Sequence, residues 1–274
     1  MQTYFELRKR RELGEILSDT FTFARINSKT LLPILIKTTG VFFLINLFFS
    51  AVYQYTTLDN LAVTNPGLFF GSLLLMLMGS LLYYASASSA IYSFMADYLE
   101  NKGLVDPNQI TQKSWSLMVN LLLLGLMVYF ILLIGLVFFL IPGIYLLIPA
   151  ALSFPILIFR NLGKWESFKA SFKLVSGYWW VTFGTLLVVV IVIGIISFVF
   201  SLPATVYLSL KTLVVEPETN AMSGDFIFLL LSTLSSAVGN LLSIFLIIAM
   251  GLVYFDLDEE KNKTGIRAKL EELG

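Results

Sequence analysis

The chain has 274 residues, of which 57% are hydrophobic and only 13% charged, and its mean hydropathy is +0.84. Soluble domains carry about 25% charged residues, so the composition excludes an ordinary soluble domain. The net charge of zero gives no support to a nucleic-acid partner. The absence of Cys and His excludes disulfides, thiolate nucleophiles and metal sites with Cys or His ligands.

Long apolar runs in chain order predict an all-α, polytopic transmembrane helix bundle with about six spans. A helix needs about 20 apolar residues to cross the hydrocarbon core. The run 117–159 is twice that length, so we expect it to fold back at Pro142-Gly143 into spans three and four. The remaining predicted spans are 31–55, 67–96, 179–205 and 226–255. Span four carries Pro149 and Pro155, so either a kinked full span or a re-entrant segment fits it.

The basic residues indicate the orientation of these spans. With six spans, 16 of the 18 Lys and Arg residues fall in the two tails and in the loops 97–116 and 160–178. The loops 56–66 and 206–225 hold only Lys211. By the positive-inside rule, the basic side is cytoplasmic. This predicts a cytoplasmic segment 1–30, a transmembrane domain 31–255 and a cytoplasmic tail 256–274.

Two cytoplasmic segments have the amphipathic pattern of helices that lie on a membrane surface. The first covers residues 12–26. In the second, 164–176, an apolar face is expected at the boundary between headgroups and acyl chains, with two lysines directed to water or phosphates. These membrane-interface residues are Trp165, Phe168, Phe172 and Val175, with Lys169 and Lys173.

Small polar residues and one lysine are the candidate sites inside the spans. Either helix packing or a polar path across the membrane accounts for the stripe of small residues. The stripe consists of Ser88 and Ser89 in span two and Ser235, Gly239 and Ser243 in span six. Lys37 is the only charge within a span, and it could bind an anionic ligand or extend to the cytoplasmic headgroups.

Several short stretches, in the same order, resemble a broad bacterial six-span family. They lie at residues 11–17, 141–145, 154–158, 165–175 and 177–180. This order is similar to the membrane domain of glycerophosphoryl diester phosphodiesterases and its stand-alone relatives. In fused members of that family, a soluble barrel performs the hydrolysis. Only 19 residues follow the last predicted span, so the resemblance implies the membrane part alone, with no catalytic residues to carry over.

These observations favour a non-enzymatic membrane protein without a cofactor. It would be a scaffold or a module that interacts with membrane lipids, and a soluble enzyme would be a fitting protein partner. The alternative is a transporter or channel for a small or lipidic solute, which the polar stripe and the prolines of span four would serve. The sequence does not decide between these functions, and it gives no oligomeric state.

Overall fold

A computed structural model describes residues 4–58, 61–214 and 225–273, and in these ranges regular structure is entirely helical. The all-α prediction is therefore confirmed. The outer-side positions Asn60 and Thr219, expected in extracytoplasmic loops, lie outside the described residues.

The first helix, α1, runs without a break over Leu13–Leu58. Its start is fixed by the Glu15 carboxylate, which accepts a hydrogen bond of 2.9 Å from the backbone N–H of Glu12. The prediction of a separate surface helix at 12–26 is thus wrong, because that segment continues through Pro33 into the first span. Asn27 and Ser28, which could cap a helix end, instead donate to the carbonyls of Phe23 and Arg25 within α1 at 3.0 and 2.9 Å.

Two further helices, α2 (Leu61–Thr64) and α3 (Pro66–Glu100), precede α4 (Pro107–Phe138). The Asp106 side chain caps α4 by accepting from the N–H of Asn108 at 2.9 Å. From this cap, α4 continues without a break through the third predicted span.

The break between spans three and four lies at Phe139, and α5 covers Leu140–Phe159. The expected turn at Pro142-Gly143 is therefore misplaced, because both residues belong to the first turns of α5. Proline is tolerated there since its missing N–H would have no helical partner. Gly143 instead permits close packing: a Cβ on it would lie 2.8 Å from the backbone carbon of Gly135. As a continuous helix of 20 residues, α5 is long enough to cross the membrane.

After a short turn, α6 (Lys164–Val175) is followed by α7 (Trp179–Val214). Gly177 separates them with φ +86°, a conformation that side-chain-bearing residues rarely adopt. The last two helices are α8 (Phe226–Asn262) and α9 (Thr264–Leu273). The predicted tail 256–274 is therefore not an extended tail, since α8 continues seven residues beyond Phe255 and α9 follows.

Six of these helices are long and apolar enough to cross a membrane: α1, α3, α4, α5, α7 and α8. The chain divides into two compact units. The first comprises residues 4–39, 85–190 and 245–273, and the second comprises the described parts of 40–84 and 191–244. In the first unit, α4, α5 and α6 pack around a core that contains Leu121, Leu124, Ala150, Leu157 and Phe168.

Candidate functional site: a charged junction at the end of α8

The structure places the predicted stripe residues in two different environments. In the first unit, Ser88 and Ser89 are buried, and the Ser89 hydroxyl donates to the backbone carbonyl of Ser114 on α4 at 2.5 Å. Lys37 is exposed on α1 beside two buried threonines. Ser89 therefore joins α3 to α4, whereas the side chain of Lys37 lies on the surface of the protein.

In the second unit the stripe joins helices through only some of its members. The Ser235 hydroxyl donates to the carbonyl of Phe200 on α7 at 2.9 Å. Ser243 donates within α8 to the carbonyl of Asn240 at 2.6 Å, and its hydroxyl also lies 3.5 Å from that of Tyr83 on α3. A Cβ on Gly239 would meet nothing within 4 Å. Gly239 is thus not a point of close approach, unlike Gly79, where a Cβ would lie 3.3 Å from the Cα of Asn46.

The apolar face of α6 differs from its predicted location. Phe168 is only 6% exposed and Val175 only 1%, because they pack against protein rather than projecting towards lipid. Phe172 is half-buried, and its ring packs edge-on against Phe168 at 5.1 Å. Of the four apolar residues, Trp165 alone is mostly exposed, at 53%.

The two lysines of α6 are exposed, as their predicted polar role requires. The Lys169 ammonium lies 5.3 Å from the centre of the Trp165 ring, which is cation–π geometry. The backbone carbonyl of Lys173, together with that of Ser176, accepts a hydrogen bond of 2.6 Å from Lys261. The end of α6 is therefore attached to the end of α8.

The main charged feature of the first unit is one that the sequence analysis missed. Its carboxylates follow the apolar part of α8, within the segment 256–274 that the sequence predicts as a cytoplasmic tail. They are instead engaged with the N-terminal segment, the end of α5 and α9, and Asp258 and Glu259 are each only 6% exposed. We call this cluster the helix-end junction. Its members are Arg10, Arg11, Arg160, Tyr178, Asp256, Asp258, Glu259, Glu260 and the start of α9.

Arg11 anchors the N-terminal segment in this junction. Its guanidinium is fully buried and pairs with Asp19 at 2.9 Å. It also donates to three backbone carbonyls of the preceding turn at 2.5–3.2 Å. The backbone N–H of Arg11 donates to Asp256 at 2.7 Å. Burial lowers the pKa of Arg11, and Asp19 opposes that shift, so the side chain is a cation held by a complete set of acceptors.

Arg160, at the end of α5, makes the second ion pair of the junction. Its guanidinium lies 2.8 Å from the Asp258 carboxylate and 3.2 Å from the Tyr254 hydroxyl. Burial acts to lower the pKa of Arg160, but the bonds to Tyr254 and Asp258 outweigh it and raise the value. Asp258 also accepts from Asn262 and Thr264 at 2.7 and 2.8 Å. One carboxylate thus joins the ends of α5, α8 and α9.

The next two carboxylates complete the junction. Glu259 caps α9 by accepting from the N–H groups of Gly265 and Ile266 at 2.6 and 3.3 Å. Glu260 pairs with Arg10 and accepts from the Tyr178 hydroxyl at 2.9 Å. That hydrogen bond raises the pKa of Tyr178. The carboxylates of the junction are therefore engaged in bonds that hold helices and termini together.

Two cavities adjoin the junction. The larger, of about 540 Å³, is lined by Glu6, Arg8, Lys9, Arg10, Glu259, Glu260, Lys263, Gly265 and Ile266. The smaller, of about 250 Å³, shares Arg10 and Glu260 with it and extends between the start of α7 and the end of α8. Within the described ranges, no group of three or more Asp or Glu residues is arranged to hold a metal ion.

A sequence signal for this junction did exist. Residues 8–11 are four consecutive basic residues, and 256–260 contain four acids interrupted only by Leu257. The acidic run directly follows predicted span six, whereas residues 12–30 separate the basic run from predicted span one. Both runs nevertheless lie on the side predicted to be cytoplasmic, where opposite charges can pair, and the prediction of a separate cytoplasmic tail overlooked this.

The helices and their hydropathy define a multi-pass α-helical membrane protein. Comparison of the chain with models of known families, with curated proteins and with solved structures gave no match.

Proposed function

We propose that this chain is a non-enzymatic protein of a bacterial inner membrane that acts as a scaffold or lipid-interacting module, with both termini in the cytoplasm. The observation that carries the proposal is the helix-end junction. It gathers charged groups where three apolar helices end or begin, on the side that holds most of the basic residues.

The chemistry of the junction supports a binding or organising role over catalysis. Asp258 and Glu259 accept three and two hydrogen bonds, respectively, from groups that fix helix ends. A general base needs a carboxylate free to accept a substrate proton. We further propose that the chain is a stand-alone relative of the phosphodiesterase membrane domain, with a soluble enzyme as its protein partner.

Cysteine labelling in intact cells tests the orientation, since the natural chain contains no Cys. Single cysteines at Asn108, Gly163 and Lys263, all exposed in the structure, should resist a membrane-impermeant maleimide until the cells are opened. Cysteines at Asn60 and Thr219 should react from outside. Labelling of Gly163→Cys in intact cells would contradict the proposed topology.

The lipid-interacting role is tested by the lipids that remain with the protein after purification in a mild detergent. We expect anionic phospholipids to be enriched over their share of the source membrane, because basic residues near a membrane surface attract anionic headgroups. A retained lipid mixture identical to that of the bulk membrane would contradict the proposal.

Transport is the second candidate, and a polar cluster in the second unit favours it. The buried Asn46 donates to Ser80 at 3.1 Å and accepts from Asn240 at 3.3 Å. Nearby on α1, Gln54 donates to Ser236 at 3.2 Å, but its buried Oε1 has no hydrogen-bond partner among the described residues. Such an oxygen is a place for water or a polar solute.

Proteoliposomes distinguish the two functions. Transport predicts that reconstituted protein raises the permeability to water or small polyols in light-scattering measurements, and that Asn46→Leu abolishes the increase. A lipid-interacting module predicts vesicles as tight as protein-free ones. In that case Asn46→Leu lowers stability alone, because it removes hydrogen bonds between helices.

A further inference from the structure

The larger cavity beside the junction has an excess of basic side chains. Four of its lining residues are basic, namely Arg8, Lys9, Arg10 and Lys263, and three are acidic, namely Glu6, Glu259 and Glu260. Its volume of about 540 Å³ exceeds that of a single phosphate group many times over. The identity of its occupant therefore depends on which of these charges remain available.

Most of the opposing charges in the cavity wall are already engaged. Lys9 pairs with Asp19 at 3.0 Å, and Arg10 pairs with Glu260. Glu259 is used in capping α9, where it accepts two backbone N–H groups. These bonds leave two cations of the lining, Arg8 and Lys263, for which the described residues offer no ion pair.

Arg8 is the more informative of these two cations. Its Nε is buried and has no hydrogen-bond partner among the described residues. A guanidinium N–H without an acceptor is costly. The Arg8 side chain as a whole is only half-buried and lines the cavity, so the rest of the guanidinium can donate to a ligand oxygen. The backbone of Arg8 packs against Gly265, where a Cβ would lie 2.9 Å from the Arg8 carbonyl oxygen.

The smaller cavity adjoins the larger one and has both charged and apolar sides. It shares Arg10 and Glu260 with the larger cavity, and its lining also reaches Val181, near the start of the apolar helix α7. Val181 is exposed on the helix surface. An amphipathic molecule, with a charged end in the larger cavity and an apolar end in the smaller one, would match this pair of cavities. Membrane lipids are such molecules.

We propose that Arg8 and Lys263 bind the phosphate of an anionic phospholipid headgroup, whose acyl part lies along the exposed Val181. This inference rests on the proposed lipid-interacting function and names its ligand class. Arginine provides the paired donors that suit phosphate oxygens, and lysine adds a point charge.

The test is titration of the delipidated full-length protein with phosphatidylglycerol, followed by native mass spectrometry. Each loss of one cation, in Arg8→Gln or Lys263→Gln, should weaken binding about fivefold, the equivalent of about 1 kcal/mol per basic residue. Arg8→Lys should retain most of the affinity. The matched control is Lys113→Gln, which removes an exposed basic residue that lines neither cavity and should change nothing.

Two further ligands identify the source of the phosphate. Phosphatidylcholine, which carries a phosphate but no net charge, should bind more weakly than phosphatidylglycerol. Inorganic phosphate should not compete at millimolar concentration. If inorganic phosphate competes and its effect depends on Arg8, the ligand is a soluble anion and the assignment to a lipid is overturned.

The remaining outcomes separate this inference from the proposed function. If wild-type protein prefers phosphatidylglycerol but neither Arg8→Gln nor Lys263→Gln changes its affinity, this cavity is not the site, although lipid interaction stands. If wild-type protein shows no preference for any lipid, the proposed function fails as well. Lys263 lies at the helix break with φ +50° and is exposed, so its variant should fold even if Arg8→Gln does not.

Discussion

Truncation of Phe168 to alanine should destabilise the protein by about 3–5 kcal/mol, the usual cost of removing a phenyl ring from a packed core. Phe168 is 6% exposed and belongs to the core between α4, α5 and α6. Its ring also contacts Trp165 at 5.9 Å and Phe172 at 5.1 Å. Such aromatic pairs contribute about 0.5–1.5 kcal/mol each beyond area burial. The loss should therefore lie in the upper part of the range.

Unfolding by increasing the mole fraction of SDS in mixed micelles, followed by circular dichroism at 222 nm, measures this difference. Trp165→Ala is the matched control, because it removes a larger aromatic ring from the same helix at a position that is 53% exposed. We expect it to cost less than 1.5 kcal/mol, the upper end for one aromatic pair. Lys169→Gln should have a smaller effect still. Equal losses for Phe168→Ala and Trp165→Ala would refute the assignment of Phe168 to a protein core and return it to a lipid-facing surface.

Two other predictions concern backbone packing and pH. Gly143→Ala should open the α4–α5 hairpin and lower the melting temperature in detergent, since its Cβ would lie 2.8 Å from the backbone of Gly135. Gly239→Ala is the control: it has open space around it and should be neutral or slightly stabilising. A larger loss for Gly239→Ala than for Gly143→Ala would contradict the packing. Asp225 has a lowered pKa: burial acts to raise it, but hydrogen bonds from Lys211, Tyr207 and the N–H of Phe228 outweigh burial. The stabilisation by ionised Asp225 should therefore be complete above the pKa of the unfolded state, near 3.9, and be lost as pH falls through the lower pKa of the folded state. Asp225→Asn should remove this acid dependence of unfolding. If the variant and the wild type lose stability equally as pH falls, Asp225 does not contribute.

Hydropathy was sufficient to predict the class of fold and the number of long apolar helices. A run of 20 apolar residues inside a bilayer forms a helix, because lipid offers no hydrogen bonds and the backbone polar groups must bond to one another. Helix ends were harder to locate. Pro142-Gly143 has the composition of a turn, yet proline is equally suited to the first turn of a helix, and glycine to the close approach of two helices. The break at Phe139 carries no such signal.

The candidate site was missed for a different reason. Amphipathic periodicity showed correctly that Phe168 and Val175 share a face of α6, but periodicity does not reveal whether that face meets lipid or another helix. The acids after span six have no periodic pattern, and their partners lie up to 245 positions away in the chain, as with Arg11 and Asp256. The complementary charges of residues 8–11 and 256–260 indicate that these segments can pair, but the tertiary fold decides which residues meet across such a separation.

The hydrogen bond between Arg11 and Asp256 also determines when, during synthesis of the chain, the helix-end junction can form. Arg11 finds Asp19 and its carbonyl acceptors within eight residues, so the N-terminal turn can form as soon as it leaves the ribosome. Its attachment to Asp256 must wait for 245 further residues, roughly 10–50 s at common rates of translation. During that interval the first helix is inserted while its charged end remains undocked. Closure of the helix-end junction is therefore a late event, and a nascent chain that stalls before α8 would expose residues 8–11 to the membrane surface or to other proteins.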